Sequence, residues 1–418
     1  MFAVGFPADL HRARGAVALH IVTAVLLPIV LIPSCPAART DADGSVRTLC
    51  LGDVIAQFGE NSFTVIDYDP AIRTTLVPSR ADYVGGYDIA LRNMRAYMPR
   101  TRERLAKDFD LVLMSDTDPL IFRPEWIDWI SGSVVDDGLA LLWLGSIVHY
   151  GSMDIVWEGT TVADILPASQ APGNCMLSEP FYFEITDENE ELMGALPWED
   201  SPPLANLNTQ VARDGSAQWA RAIGSRSRHP LMTHWEIGDG AVLCFASKFP
   251  AGVLPWAREW SLFPQAMIYM VYRLSGKPLP EDPLLFEEML RCFIEFSEMG
   301  SLLESMMDWV EKFGGNTLRL RERQDTITGI RSDAEGAYLS GDYQGAMDLL
   351  RESRDEQVSM REEIVEAKDE AMLWVYLTEW YTLLGTLMIS SYILMELMVR
   401  RRLYREAGTS RMGLWGKN

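Results

Sequence analysis

The sequence predicts an α/β domain built on a mostly parallel sheet, followed by a charged helical segment and a membrane-spanning helix. Three observations carry this expectation. Residues 110–115 (DLVLMS) and 139–144 (LALLWL) are short apolar runs, the pattern of strands buried on both faces. Between them Pro124 opens a segment in which Trp126, Ile127, Trp129 and Ile130 recur at helical spacing before Asp136, Asp137 and Gly138 end it, so runs and helix together make a βαβ unit. Far downstream, residues 380–399 hold one charge in 20 positions, long enough as a helix to cross about 30 Å of hydrocarbon.

At the amino end, residues 16–32 are uncharged and follow Arg12 and Arg14, so residues 1–40 read as a secretory signal or an N-terminal membrane anchor. Ser34, Ala37 and Ala38 would suit cleavage, whereas Pro33 makes Cys35 a poor lipidation site. The α/β domain is expected over residues 46–278. Residues 46–51 form its first strand, ending on Gly52 and Asp53, and the β-branched runs 63–68 and 74–77 read as further strands, each closed by a Pro. Residues 88–97 and 100–107 read as helices. The strand at 139–144 stops on Gly145 and Ser146, and 160–166 is a short helix ended by Pro167. Residues 168–203, rich in Pro, Gly and acidic groups, suggest an irregular excursion or a small β insertion. Residues 234–237 and 241–246, joined by Gly238, Asp239 and Gly240, make a hairpin. An amphipathic helix at 260–274 and the prolines of 278–283 close the domain.

Residues 282–370 are helical in pattern and acidic, with 22 acidic and 10 basic side chains, so they supply −12 of the formal −22. Gly314, Gly315, Asn316 and later Gly341 interrupt the pattern, predicting a helical hairpin stalk whose arms pair through Ile327, Ile330, Ala334, Ala337, Tyr343, Ala346 and Leu350. The run AEGAYLSGDYQGA looks like one tetratricopeptide-like turn, but a single unit makes no repeat array. Residues 371–399 follow as the transmembrane helix, with Trp374, Tyr376, Trp380 and Tyr381 as an interfacial belt. Arg400, Arg401, Arg402 and Arg405 open a short basic tail, 400–418; positive charge beyond both apolar segments sets the tail in the cytoplasm and the α/β domain outside the cell membrane. The net charge of −22 excludes nucleic acid as a partner, since phosphate binding needs clustered Lys and Arg. The membrane itself, another envelope protein or a second copy meeting the stalk are the partners this layout suggests. Five cysteines are too few and too odd in number for a disulfide scaffold, and Cys50 and Cys244 read as buried thiols within strands.

Three stretches also carry a family resemblance: DFDLVLMSDTD at 108–118, GLALLWLGSIVHYG with GTTVADILP at 138–151 and 159–167, and HPLMTHWEIGDGAVLCFAS at 229–247 followed by Trp256. In these the chain resembles the putative glutamine amidotransferase family, a branch of the class I glutamine amidotransferase-like superfamily, and the LWVYLTEW and VRRRLYRE segments resemble the C-terminus of its archaeal membrane-anchored members. The resemblance covers roughly 46–274 and implies a flavodoxin-like three-layer α/β/α sandwich. It also implies a glutaminase centre, in which a Cys at a sharp strand-to-helix turn attacks the amide while a His–Glu pair on a later segment shuttles the proton. Here the equivalent turn reads Leu144, Gly145, Ser146, Ile147, without a Cys, and His234 and Glu236 have the pair's spacing but precede the hairpin turn.

Ligands of open α/β sheets bind outside the carboxyl ends of the strands, which here collects Asp116, Thr117, Asp118, Gly145, Ser146, His149 and Tyr150, with Trp256 as a further candidate lining residue. Ser146 with His149 as base and Asp116 as an acid–base carboxylate are the catalytic candidates; Gly-Ser after a strand also serves as plain turn chemistry, and Asp after a strand also serves as a cap. Trp143, Tyr150, Trp157 and Trp256 read first as core packing. His149, His229, His234 and Asp154 match no short metal-ligand spacing, so no metal and no cofactor is expected.

Overall fold

The computed structural model describes residues 40, 43–52, 62–145, 157–171, 176–177, 179–205, 207–247 and 254–412. The chain divides into two compact units, Met1–Pro283 and Leu284–Asn418. The first unit opens with β1 (Val46–Gly52), α1 (Ser62–Ile66), β2 (Ile72–Pro78), α2 (Ala81–Val84), α3 (Tyr87–Tyr97), α4 (Arg102–Asp108), β3 (Leu111–Ser115), α5 (Pro124–Asp137) and β4 (Ala140–Leu144). After α6 (Thr161–Asp164) come β5 (Ala168–Gln170), β6 (Met176–Leu177), β7 (Tyr182–Ile185), α7 (Glu191–Ala195), β8 (Leu207–Asn208), β9 (Gln210–Ala212), β10 (Ala217–Ile223), β11 (Arg228–Ile237) and β12 (Gly240–Phe245). The helices α8 (Leu254–Glu259) and α9 (Phe263–Ser275) complete the unit.

Eight strands form one sheet in the order β2-β1-β3-β4-β12-β11-β10-β7, parallel from β2 to β12 and antiparallel beyond it. The parallel half accounts for the continuous apolar runs, because its strands must be covered on both faces. Leu49, Leu51, Val112, Met114, Leu141, Trp143 and Val242 share one core cluster with Met94, Leu105, Ile130 and Val134 of the helices α3, α4 and α5. The alternate residues Leu113, Leu142 and Leu243 turn to the other face, where α9 packs against β3, β4 and β12, with α1 alongside it. Cys50 and Cys244 are buried free thiols within β1 and β12. The 168–203 excursion contributes β7 to the sheet edge and strands to two small two-stranded sheets, β5-β9 and β6-β8.

The run 63–68, expected as a strand, is helical. Phe63, Val65 and Ile66 are fully buried, and the turn that follows is fixed by Asp69, whose carboxylate accepts from the Ala71 N–H at 2.8 Å and from the Tyr272 hydroxyl at 2.6 Å. Tertiary packing thus outweighs the β preference of Thr64, Val65 and Ile66. The helix expected at 260–274 starts at Phe263 and is buried on nearly every side, with Met267, Ile268, Tyr269, Met270 and Val271 all inside, so it is a core helix and not an amphipathic one.

The described residues of the second unit form α10 (Pro283–Lys312), α11 (Leu318–Leu339) and α12 (Tyr343–Met412), broken at the two places the glycines marked, with α11 and α12 packed as the arms of a hairpin. The segment before Gly314 joins the packing, since Phe296, Leu303, Met307 and Val310 share a core with Leu320, Ile327, Met360 and Ile364. Ile327, Ala334, Ala346 and Leu350 are buried, whereas Ile330, Ala337 and Tyr343 are half-buried. The apolar stretch is no separate helix: α12 runs on through it without a break. Its most apolar window has mean hydropathy 1.6 and is wholly unburied, so this helix is long and apolar enough to anchor in a membrane.

Candidate functional site

The carboxyl ends of β2, β1, β3, β4 and β12 meet along one edge of the sheet, and backbone bonds past the last ladder pairs hold that edge together. The Ser79 N–H donates to the Gly52 carbonyl at 3.1 Å, the Asp116 N–H to Leu144 at 3.2 Å, and the Gly145 N–H to Phe245 at 3.0 Å. Two glycines sit at this edge with positive φ, Gly52 at +131 and Gly145 at +111, a conformation that L side chains rarely adopt. A Cβ on Gly52 would lie 1.9 Å from the Ser115 carbonyl oxygen.

Asp116 follows β3 with φ +47, a left-handed conformation that Asp tolerates better than most side chains. Its carboxylate forms a buried ion pair with Arg80, which follows β2; both side chains are at most 3% exposed. Because β1 lies between β2 and β3, this pair spans the end of β1 at Gly52. Asp118 accepts from the Tyr87 hydroxyl at 2.7 Å and from the Leu120 N–H at 2.9 Å, which starts the short 3-10 turn Pro119–Ile121. The Thr117 carbonyl accepts from Trp157 Nε1 at 3.0 Å. Asp116 is thus charge-paired and Asp118 capped and held by Tyr87, whereas the buried hydroxyls of Ser79, Ser115 and Thr117 beside them make no hydrogen bond among the described residues.

Of the residues expected at this edge, Asp116, Thr117, Asp118 and Gly145 converge there. Ser146, His149 and Tyr150 lie outside the described residues, as does Asp154. Trp256 is 1% exposed among Phe183, Trp198, Phe245 and Trp260, and its Nε1 donates to the Pro202 carbonyl at 2.6 Å, so its ring belongs to an aromatic core. Trp143 and Trp157 meet edge to face at 5.3 Å and are likewise buried. His229 and His234 are placed on β11, His234 stacked on Trp219 at 4.4 Å. Among the described residues no three His, Cys, Asp or Glu side chains converge as metal ligands. Sequence reasoning missed Arg80 and Tyr87. The signal available for Arg80 was its position two residues past a strand closed by Pro78, the same place relative to β2 that Asp116 nearly holds relative to β3.

The thiols bear on chemistry directly. Burial drives the Cys50 thiol well above its ordinary range, with the nearby Asp67 charge adding to it, and pushes Cys244 up to about 12. Neither forms a thiolate near neutral pH, and each lies inside a strand and not at its end.

No protein-family model and no curated protein matches the chain. Among solved structures it is similar to Cytoplasmic Protein STM1381 from Salmonella typhimurium LT2, with 18% identity and a TM-score of 0.43 over 55% of this chain and 99% of that one. It is similar also to Cytoplasmic Protein STM3548 from Salmonella typhimurium, with 15% identity and a TM-score of 0.43 over 55% of this chain and 98% of that one. A third similar structure is Exo-beta-1,4-mannosidase Op5Man5 from Opitutaceae bacterium strain TAV5, with 12% identity and a TM-score of 0.30 over 57% of this chain and 37% of that one.

Proposed function

We propose that the first unit is a glutamine amidotransferase-like module that binds a small polar ligand at the carboxyl edge of β1, β3 and β4 without glutaminase chemistry, and that α12 tethers it to the membrane. The observation carrying this is the cysteine placement: β4 is followed in sequence by Gly145 and Ser146 with no Cys, and the described thiols of this unit are buried within strands with their ionisation suppressed. The order β2-β1-β3-β4-β12 supports a flavodoxin-like reading, in which ligands bind where the strand order reverses, beside Gly52 and Asp116. The basic residues after Val399 support an extracytoplasmic placement of the module, with a second copy or another envelope protein as partner of the helical unit.

Glutamine is the probe that tests this. Full-length protein in detergent is expected to bind it saturably by calorimetry, to lose that binding on Asp116→Asn, and to release no ammonia. Ammonia release that disappears on Ser146→Ala or His149→Ala overturns the proposal in favour of a hydrolase or amidotransferase using Ser146, His149 and Asp116. One observation favours that second reading: Asp116 holds a positive φ, and strained non-glycine residues concentrate at functional sites.

A further inference from the structure

Within the second unit, α10 and α12 run side by side in the same direction. Arg351 pairs with Glu288 at 2.9 Å, Gln357 Nε2 donates to the Phe296 carbonyl at 3.1 Å, and the Lys368 ammonium lies 5.3 Å from the Trp309 ring centre. Four residues beyond the Trp309–Lys368 contact, Phe313, just past the end of α10, comes near the level of Met372 on α12. The turn from α10 to α11 reads KFGGNTLR, and it leaves Phe313 40% and Leu318 66% exposed. Thr317 and Arg321 both bond Glu311, and Arg319 meets Glu363 at 3.3 Å, so the turn is fastened to the bundle; Leu318 faces outward, while Phe313 packs on Trp309 with ring centres 4.4 Å apart and keeps its remaining surface exposed. Behind Phe313, a groove of about 320 Å³ lined by Ser305, Met306, Trp309, Ile364 and Lys368 continues the same surface.

This tip stands where α12 changes character. Leu373, Trp374, Tyr376 and Leu377 are all exposed immediately beyond Met372, and aromatic residues at the start of an apolar span sit at headgroup level. The 29 positions 371–399 have a helical length of roughly 44 Å, about the full thickness of a bilayer with its headgroup regions. We infer that the α10–α11 turn is a lipid-contacting tip: Phe313 and Leu318 dip into the headgroup layer beside Trp374, with Lys312 next to them as the cation facing anionic lipid. The second unit then meets the membrane at two places, the α12 span and this turn, which fixes the tilt of the bundle against the bilayer. The inference rests on the membrane-span part of the proposed function, and its test separates the two.

The photocrosslinking residue p-benzoylphenylalanine is introduced singly at Phe313, Trp380 or Leu284 of the full chain. Leu284 is 71% exposed at the opposite end of α10, about 43 Å from Phe313 along the helix. Each protein is reconstituted into vesicles of phosphatidylcholine and phosphatidylglycerol carrying a tail-labelled phosphatidylglycerol, irradiated and run on a gel, with circular dichroism reporting helix content. Labelled adducts from Phe313 are expected at the same order of yield as from Trp380 and an order of magnitude above Leu284. Adducts at Trp380 with only the Leu284 background at Phe313 overturn the tip and leave the span standing; background at all three positions overturns both.

Discussion

Gly52 shows how little room the sheet edge leaves a single residue. Its φ of +131 suits glycine, and a methyl added there would stand 1.9 Å from the Ser115 carbonyl oxygen, a conflict of backbone with backbone in which neither chain can yield cheaply. Gly159 also has positive φ, +82, but a Cβ there meets nothing within 4 Å. The two glycines separate backbone strain from steric conflict. Gly159→Ala is expected to cost about 1–2 kcal/mol, the left-handed penalty alone, whereas Gly52→Ala should cost about 4 kcal/mol or more by forcing β1 and β3 apart. Urea unfolding followed by tryptophan fluorescence reads both, and equal losses would mean that the edge relaxes freely. The same closeness lets Arg80 reach Asp116 across the end of β1, so Gly52 supports the site although it offers no chemistry.

At the scale of elements, the antiparallel half of the sheet carries a titrating device. His234 on β11 stacks on Trp219 of β10, which sits at an irregularity in the register between Gln218 and Ala220; Arg273 of α9 lies 5.4 Å from the Trp219 ring and is held by Glu190 at 2.5 Å. Burial, aided by the Arg273 charge, lowers the His234 imidazole to about 4. An unfolded histidine titrates near 6.5. The folded-state value is depressed, so the contribution to stability is complete above pH 6.5 and is lost as pH falls from 6.5 to 4, by up to about 3 kcal/mol. His234→Phe keeps a flat ring on Trp219 and removes the titration. The loss of stability between pH 7 and pH 4.5 should be smaller in that variant by most of this amount, and parallel curves for the two proteins would refute the assignment. These elements also mark where sequence stopped being informative. The strands β3 and β4 announce themselves because both faces are buried. By contrast β10 (AQWARAI) mixes Gln and Arg into a half-exposed edge region, and Pro230 interrupts the pattern of β11, tolerated because the pairing is irregular there. The strand-end positions Asp116 and Gly145 were legible for the same reason as their strands. Arg80 was not, because its meaning depends on β1 lying between β2 and β3, a sheet order that no local pattern contains.

For the molecule as a whole, the division of charge and apolar surface decides where it resides. The second unit's core ends near Ile364 and Ala367, and apart from the half-buried Val375 every large apolar side chain from Leu373 to Val399 is exposed, at 38% to 74%. Water cannot accommodate such a surface: burying one Leu or Phe side chain is worth about 1.5–3 kcal/mol, and this stretch holds more than a dozen apolar groups of that size. The rest of the chain tends the opposite way, since the acidic excess behind the net charge of −22 lies entirely before residue 371 and favours contact with water. Removing α12 beyond Glu370 should therefore change the partition of the protein without undoing either core. Chains 43–418 and 43–370, both lacking the first apolar segment, isolate this effect when made by cell-free synthesis with liposomes, washed in alkaline carbonate and floated on a density gradient. The longer chain should rise with the lipid and the shorter should stay at the bottom as soluble, helical protein. If the shorter chain floats as well, another surface binds lipid strongly enough to survive carbonate. If the longer one sinks, the exposed apolar face of α12 meets a protein partner in place of lipid.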